Sequence, residues 1–232
     1  MNLITCTLTV LPKGVDLVAA TAQLTLRNQM GYTENLIGLK RMDVFRFTIA
    51  TGSDPRSAIT NLKRVLDRQS TFYNRNKHLY ALECSWPGDP EGGSHSEGVS
   101  REDLRQSWKL ELANYLQTKG DRESCGKDPT NPLILGGSSG FLVEVLVEDD
   151  DPSTRDAIAV KVKRDLSGVP GTEDARVSCE NRGVVWWLAL RATAAEAAEE
   201  TARHITLTKR RDAGLLANPN YEHAEFVSAR QL

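Results

Sequence analysis

Histidines, cysteines and clustered carboxylates carry most protein chemistry, and this chain spreads them thinly. The histidines His78, His95, His204 and His223 share no metal-ligand spacing, and none pairs locally with a cysteine. The cysteines Cys6, Cys84, Cys125 and Cys179 form no CxxC and are expected as reduced thiols. Glu148 to Asp151 is an acidic run of the kind that holds a hard cation. Its place between a strand and a helix start makes it a solvated strand end followed by a cap. Lys209-Arg210-Arg211 falls late in a helical stretch, where the helix dipole favours cations. The GGSSG at 136–140 precedes a strand instead of following one, so it is a linker and not a phosphate cradle. Walker and GxGxxG motifs are absent. No nucleophile–base pair stands out, and neither catalytic residues, metal nor cofactor is expected of the chain itself.

The elements that would position any site are easier to read. The chain has 232 residues with 29 basic and 31 acidic side chains, a formal net charge of -2. That balance steers it to neither nucleic acid nor an anionic membrane. No apolar run approaches the roughly 18 residues of a membrane span. The opening MNLITCTLTV has no basic leader, so a cytoplasmic protein is expected.

In "NLITCTLTVL", Ile4, Cys6, Leu8 and Val10 alternate with threonines, a half-buried strand. A helix follows, with Val18, Ala22 and Leu26 on one stripe and Gly31 as its stop. Residues 35–50 suggest a hairpin turning near Lys40 and Arg41. A second helix starts at Asp54-Pro55, and "NKHLYALEC" closes the unit. From Gly140 the order returns: a strand, a helix from Asp151 or Ser153, and a hairpin turning at Asn181 to Gly183. Then come a helix opened by a Thr193/Glu196 capping box and ended by Asn218-Pro219, and a last strand. The expected domains are residues 1–85 and 140–232, each an α+β, ferredoxin-like β-α-β-β-α-β unit with an antiparallel sheet.

Residues 86–139 lie between them. "WPGDPEGGSHSEG" has linker composition. At about 100–119, Leu104, Trp108, Leu112, Tyr115 and Leu116 make a helical stripe, fitting a helix packed on its own domain or a docking helix for a partner.

Several short motifs sit at matching places in this order: Lys13-Gly14-Val15 after the first strand, Gly31-Tyr32 after the first helix, and Leu215-Leu216-Ala217-Asn218-Pro219 before the last strand. In these the chain resembles the small subunit of phosphoribosylformylglycinamidine synthase, the glutamine-dependent amidotransferase of purine synthesis. The resemblance implies a non-catalytic assembly role, bridging the synthetase and glutaminase subunits of that ATP-dependent ligase complex. ATP, substrate and the catalytic thiol would belong to those partners, and Lys13, Gly14, Gly31, Tyr32, Leu215, Leu216, Asn218 and Pro219 would be interface candidates. The chain departs from the family in being a tandem pair, and its first half lacks the LLANP segment.

Two other readings share the element order. An RNA-recognition module would use Phe45 and Phe47 as stacking aromatics, but the basic-Gly-aromatic motif around them is missing. A small-molecule-sensing regulatory pair of the amino-acid-binding type also fits. Finally, both faces of the second sheet are apolar: adjacent Trp186 and Trp187 cannot point to one side of a strand. The cover expected from sequence is the first sheet, with Phe45 and Phe47 meeting one tryptophan in a sheet-to-sheet pseudo-dimer. A homo-oligomer is a further possibility.

Overall fold

The computed structural model describes residues 2–52, 54–68, 72–87, 93–118, 139–167, 176–208 and 214–232. Their element order is β1 (Asn2–Pro12), α1 (Leu17–Asn28), β2 (Leu36–Thr51), α2 (Pro55–Arg68), β3 (His78–Trp86), β4 (Gly93–Gly98), α3 (Arg101–Thr118), β5 (Ser139–Asp149), α4 (Pro152–Leu166), β6 (Arg176–Ala192), α5 (Ala195–Thr206) and β7 (Glu222–Gln231). The fold is α+β, with five helices and a single antiparallel sheet of order β4-β3-β1-β2-β6-β5-β7 among the described residues. Cys125, Lys209 to Arg211 and residues 136–138 of the GGSSG lie outside them.

Each expected hairpin is one continuous strand, β2 and β6. A tight two-residue hairpin needs positive φ at its turn, supplied by Gly or Asn. Lys40 and Arg41 offer neither residue, and Gly183 does not take up such a φ. Positive φ occurs only at Gly31, Gly98 and Gly214 among the described residues. With no turn to break it, the strand runs on, and the expected pair of four-stranded sheets becomes one sheet. A sheet-to-sheet pseudo-dimer is therefore not what forms.

The helix starts follow local chemistry. Asp16 caps α1, its Oδ1 accepting from the amides of Val18 (2.9 Å) and Ala19 (3.2 Å). Asp54 accepts from the Ser57 amide at 2.9 Å ahead of α2, and Asp151 from that of Ser153 at 2.9 Å ahead of α4. The Thr193/Glu196 box does not form: Ala194 is the N-cap of α5, with no side-chain hydrogen bond. That helix also stops at Thr206, well before Asn218. Gly214, at φ +79°, sits where a Cβ would come within 1.8 Å of the Leu207 carbonyl oxygen, so the return of the chain needs a residue without one.

The chain divides into two compact units, and the division does not follow the sequence repeat. The first contains residues 1–14, 42–100 and 149–183; the second contains residues 15–41, 101–148 and 184–232. Strands β2 and β6 thus each contribute a part to both units. In the first unit Ile4, Cys6 and Leu8 of β1 and Phe45, Phe47 and Ile49 of β2 pack on Ala58, Leu62 and Leu66 of α2, joined by Val162 of α4. In the second, Val143, Val145 and Val147 of β5 and Trp186, Leu188 and Leu190 of β6 pack with Ala19 and Leu26 of α1 and Ala198, Ala202 and Ile205 of α5. Each core therefore draws on both repeats. Within the stretch read as a linker, Gly93–Gly98 forms β4, paired antiparallel with β3 from Ala81↔Gly98 to Trp86↔Gly93.

Candidate functional site

Strand β5 of the second unit presents Leu142, Glu144 and Leu146 on the face away from α1 and α5, and β6 presents Val185, Trp187 and Ala189 there. The cover for this face is α3. Its Leu104, Trp108, Leu112 and Leu116 are all buried and recur every four residues, one side of a helix. Trp108 stacks on Trp187 with centroids 5.9 Å apart and planes 30° apart. Gly38 of β2 lets the helix in close: a Cβ there would lie 2.5 Å from Leu112 Cδ2.

Glu144 sits under this helix, 2% exposed. A carboxylate so placed is costly unless its oxygens are satisfied. Arg101 Nη2 donates to Oε1 at 2.8 Å; Arg105 Nη2 (3.3 Å) and Trp187 Nε1 (2.9 Å) donate to Oε2. Both arginines lie on the first turns of α3, so the cluster ties the helix start to the sheet. Arg105 also lies 5.7 Å from the Trp187 ring centroid and reaches Glu102 at 3.1 Å. Hydrogen bonds from Gln106 and then Arg105 hold the exposed Glu102 carboxyl below its ordinary value. The Glu144 carboxylate is engaged on both oxygens and has no nucleophile among these partners, so the cluster anchors a helix and does not activate a reactant.

A second polar group lies in the first unit. Lys63 Nζ meets Asp67 at 2.8 Å and Glu97 at 2.9 Å, and Tyr73 and Arg75 also donate to Asp67. Burial pushes the Asp67 carboxyl up, but hydrogen bonds from Lys63, Tyr73 and Arg75 more than offset it and leave it below the usual range. Nearby, the thiols Cys6 and Cys84 face each other across β1 and β3, both buried; the hydrogen bond from Cys84 and burial push the Cys6 thiol up. A thiol held protonated is a poor nucleophile. No group of three or more histidine, cysteine or acidic side chains placed to hold a metal occurs among the described residues.

The open feature of the second unit is a cleft of ≈ 680 Å³, lined by Leu24 and Arg27 of α1, Ile37 of β2, Tyr115 and Leu116 of α3, and Arg191 of β6. Arg27 Nη1 donates to the Tyr115 hydroxyl at 3.2 Å, and Arg191 Nη1 to the Glu34 carbonyl at 3.3 Å.

The residues singled out from sequence are dispersed. Lys13 and Gly14 are exposed in the first unit, and Lys13 Nζ donates to the Arg75 carbonyl at 2.6 Å. Gly31, at φ +80°, turns the chain after α1, and the Tyr32 amide donates to the Leu26 carbonyl at 3.1 Å. Leu216 and Ala217 are buried in the second core while Leu215, Asn218 and Pro219 are exposed. Asn218 starts a turn and not a helix end: its carbonyl accepts from the Tyr221 and Glu222 amides at 3.0 and 2.8 Å. Phe45 and Phe47 pack edge-on against Phe72 in the first core, Trp186 belongs to the second core, and Trp187 faces α3. None of the four lies in a joint between sheets. Sequence reading passed over Arg101, Arg105, Arg27 and Arg191, and placed Tyr115 only in the stripe of the helix at about 100–119. The signal for the anchor was present in Glu144 itself, one acid within the otherwise apolar run Phe141 to Val147.

No protein-family model, curated protein or solved structure matches this chain. Among the described residues, no helix is long and apolar enough to cross a membrane.

Proposed function

We propose that the chain is a non-catalytic assembly subunit of the phosphoribosylformylglycinamidine synthase type, bridging synthetase and glutaminase subunits. The observation that carries this reading is the repeated order strand, helix, long strand, helix, strand, which β1-α1-β2-α2-β3 and β5-α4-β6-α5-β7 both follow. On this reading each repeat is a ferredoxin-like unit whose middle two strands have fused, so that one chain supplies what two copies of a single-unit subunit would. Supporting it, Lys13, Gly14, Asn218 and Pro219 are exposed, where partners could reach them.

The test is reconstitution. The chain is mixed with the synthetase and glutaminase subunits of its own cell, and glutamine-dependent amidation of formylglycinamide ribonucleotide is followed with ATP present. Co-elution of the three chains and a rate that depends on this one supports the reading. Failure to co-elute, with the same rate when the chain is left out, refutes it.

A further inference from the structure

We propose that the cleft of the second unit binds a small organic anion, a carboxylate or phosphate carried on a body with an apolar face. This goes beyond the assembly role and does not depend on it. The cleft's ≈ 680 Å³ falls within the range of small-molecule sites. Its lining combines an apolar wall, from Leu24, Leu36, Ile37 and Leu116, with two guanidinium groups. A guanidinium has five N–H donors in a planar fork suited to a carboxylate or phosphate. Arg27 spends one donor on the neutral Tyr115 hydroxyl, and Arg191 one on a backbone carbonyl. Neither guanidinium has a carboxylate partner among the described residues. The contrast with Arg101 and Arg105, both committed to Glu144, is direct.

The second observation is Arg191 Nε. It is buried and has no hydrogen-bond partner. An unmade hydrogen bond at a buried donor is unfavourable, and an oxyanion bridging Nε and the free terminal nitrogen would remove that cost. Glu34 also lines the cleft, so the charged lining of Arg27, Arg191 and Glu34 sums to one net positive charge. That suits a ligand with a single anionic group better than a polyphosphate. Leu24 remains 60% exposed on the apolar wall, area that a bound apolar body would cover.

The test is calorimetric titration of the whole chain with four probes: inorganic phosphate, phenyl phosphate, phenylacetate and neutral benzyl alcohol. Saturable binding of phenyl phosphate or phenylacetate is expected, about tenfold or more tighter than inorganic phosphate or benzyl alcohol, because only these two probes use both parts of the lining. The preferred probe tells a phosphate from a carboxylate site. Arg191→Gln and Arg27→Gln should each weaken that probe about tenfold, while a change at the exposed Lys77 of the first unit, Lys77→Gln, leaves it unchanged. Arg27→Lys, which keeps the charge but not the planar fork, should lie between wild type and Arg27→Gln. The proposal is overturned if no probe saturates by about 10 mM, a concentration beyond the millimolar affinities of even weak specific sites. It is equally overturned if binding persists undiminished in both Arg→Gln variants, or if Lys77→Gln weakens it as much as they do.

Discussion

In the first unit, the strand face turned away from α2 carries Thr5, Thr7 and Thr9 on β1 and Arg46 and Thr48 on β2. In the second, the face turned away from α1 and α5 carries Leu142, Glu144 and Leu146 on β5 and Val185, Trp187 and Ala189 on β6. The two sets come from equivalent strands of the two repeats, and among the described residues α3 lies over the apolar one. The polar face satisfies itself locally, as where the Thr48 hydroxyl donates to Glu180. The apolar face would be an aggregation hazard in water, and α3 removes it. What differs is the partner each pattern demands, so an insertion between repeats became part of one core. The buried acid on that covered face, Glu144, ties down the start of the helix through Arg101 and Arg105.

This difference can be broken in graded steps. Trp187→Ala removes the largest side chain of the covered face together with a donor to Glu144. It should cost about 3–5 kcal/mol, measured by urea unfolding, whereas Thr7→Ala in the first unit should cost under about 0.5 kcal/mol. Glu144→Ala leaves Arg101 and Arg105 facing an apolar strand. Because both guanidinium groups keep some contact with water, the loss should be about 3 kcal/mol, the low end for breaking a buried pair, and Glu144→Gln should recover part of it.

Gly38→Ala sharpens the account. Its Cβ meets the flexible end of Leu112, so about 1 kcal/mol should be lost, with a shift in tryptophan fluorescence as Trp108 moves on Trp187. An effect of similar size, but dependent on pH, belongs to the first unit's Asp67 network. A carboxyl depressed on folding contributes stability that is present above its unfolded value near 4 and is lost as pH falls through the lower folded value. Asp67→Asn should therefore cost about 1 kcal/mol at pH 7, and the gap from wild type should close below about pH 4. A gap that is independent of pH would show that charge is not its origin.

Much of this was legible in the sequence, for identifiable reasons. Alternation marked β1, and Asp54-Pro55 and Asp151 or Ser153 marked helix starts. Adjacent Trp186 and Trp187 showed that the second sheet is apolar on both faces. What covers that face was not legible, because a stripe such as Leu104, Trp108, Leu112 and Leu116 says that a helix has a buried side, not what it meets. The hairpins were misread because Lys40-Arg41 and Asn181 to Gly183 are polar breaks, and polarity alone does not turn a strand. The helix thought to reach Asn218-Pro219 ends earlier because the backbone of Leu215 to Ala217 returns to Ile205 and Thr206 through the Gly214 turn. The cleft was invisible because Arg27, Tyr115 and Arg191 are single polar residues far apart in the chain.

The central claim is that each core is completed by both repeats, so the repeats are not independent domains. It is tested by producing residues 1–85 and 140–232 separately and recording thermal unfolding by circular dichroism. The second fragment lacks Ala19, Leu26, Leu36 and Leu39 from its core and the whole of α3 from its other face. It is predicted to show no cooperative transition, and the first fragment, missing Val162 and Val177, to melt broadly and well below the whole chain. A cooperative melt of residues 140–232 alone, within a few degrees of the intact protein, would contradict the account.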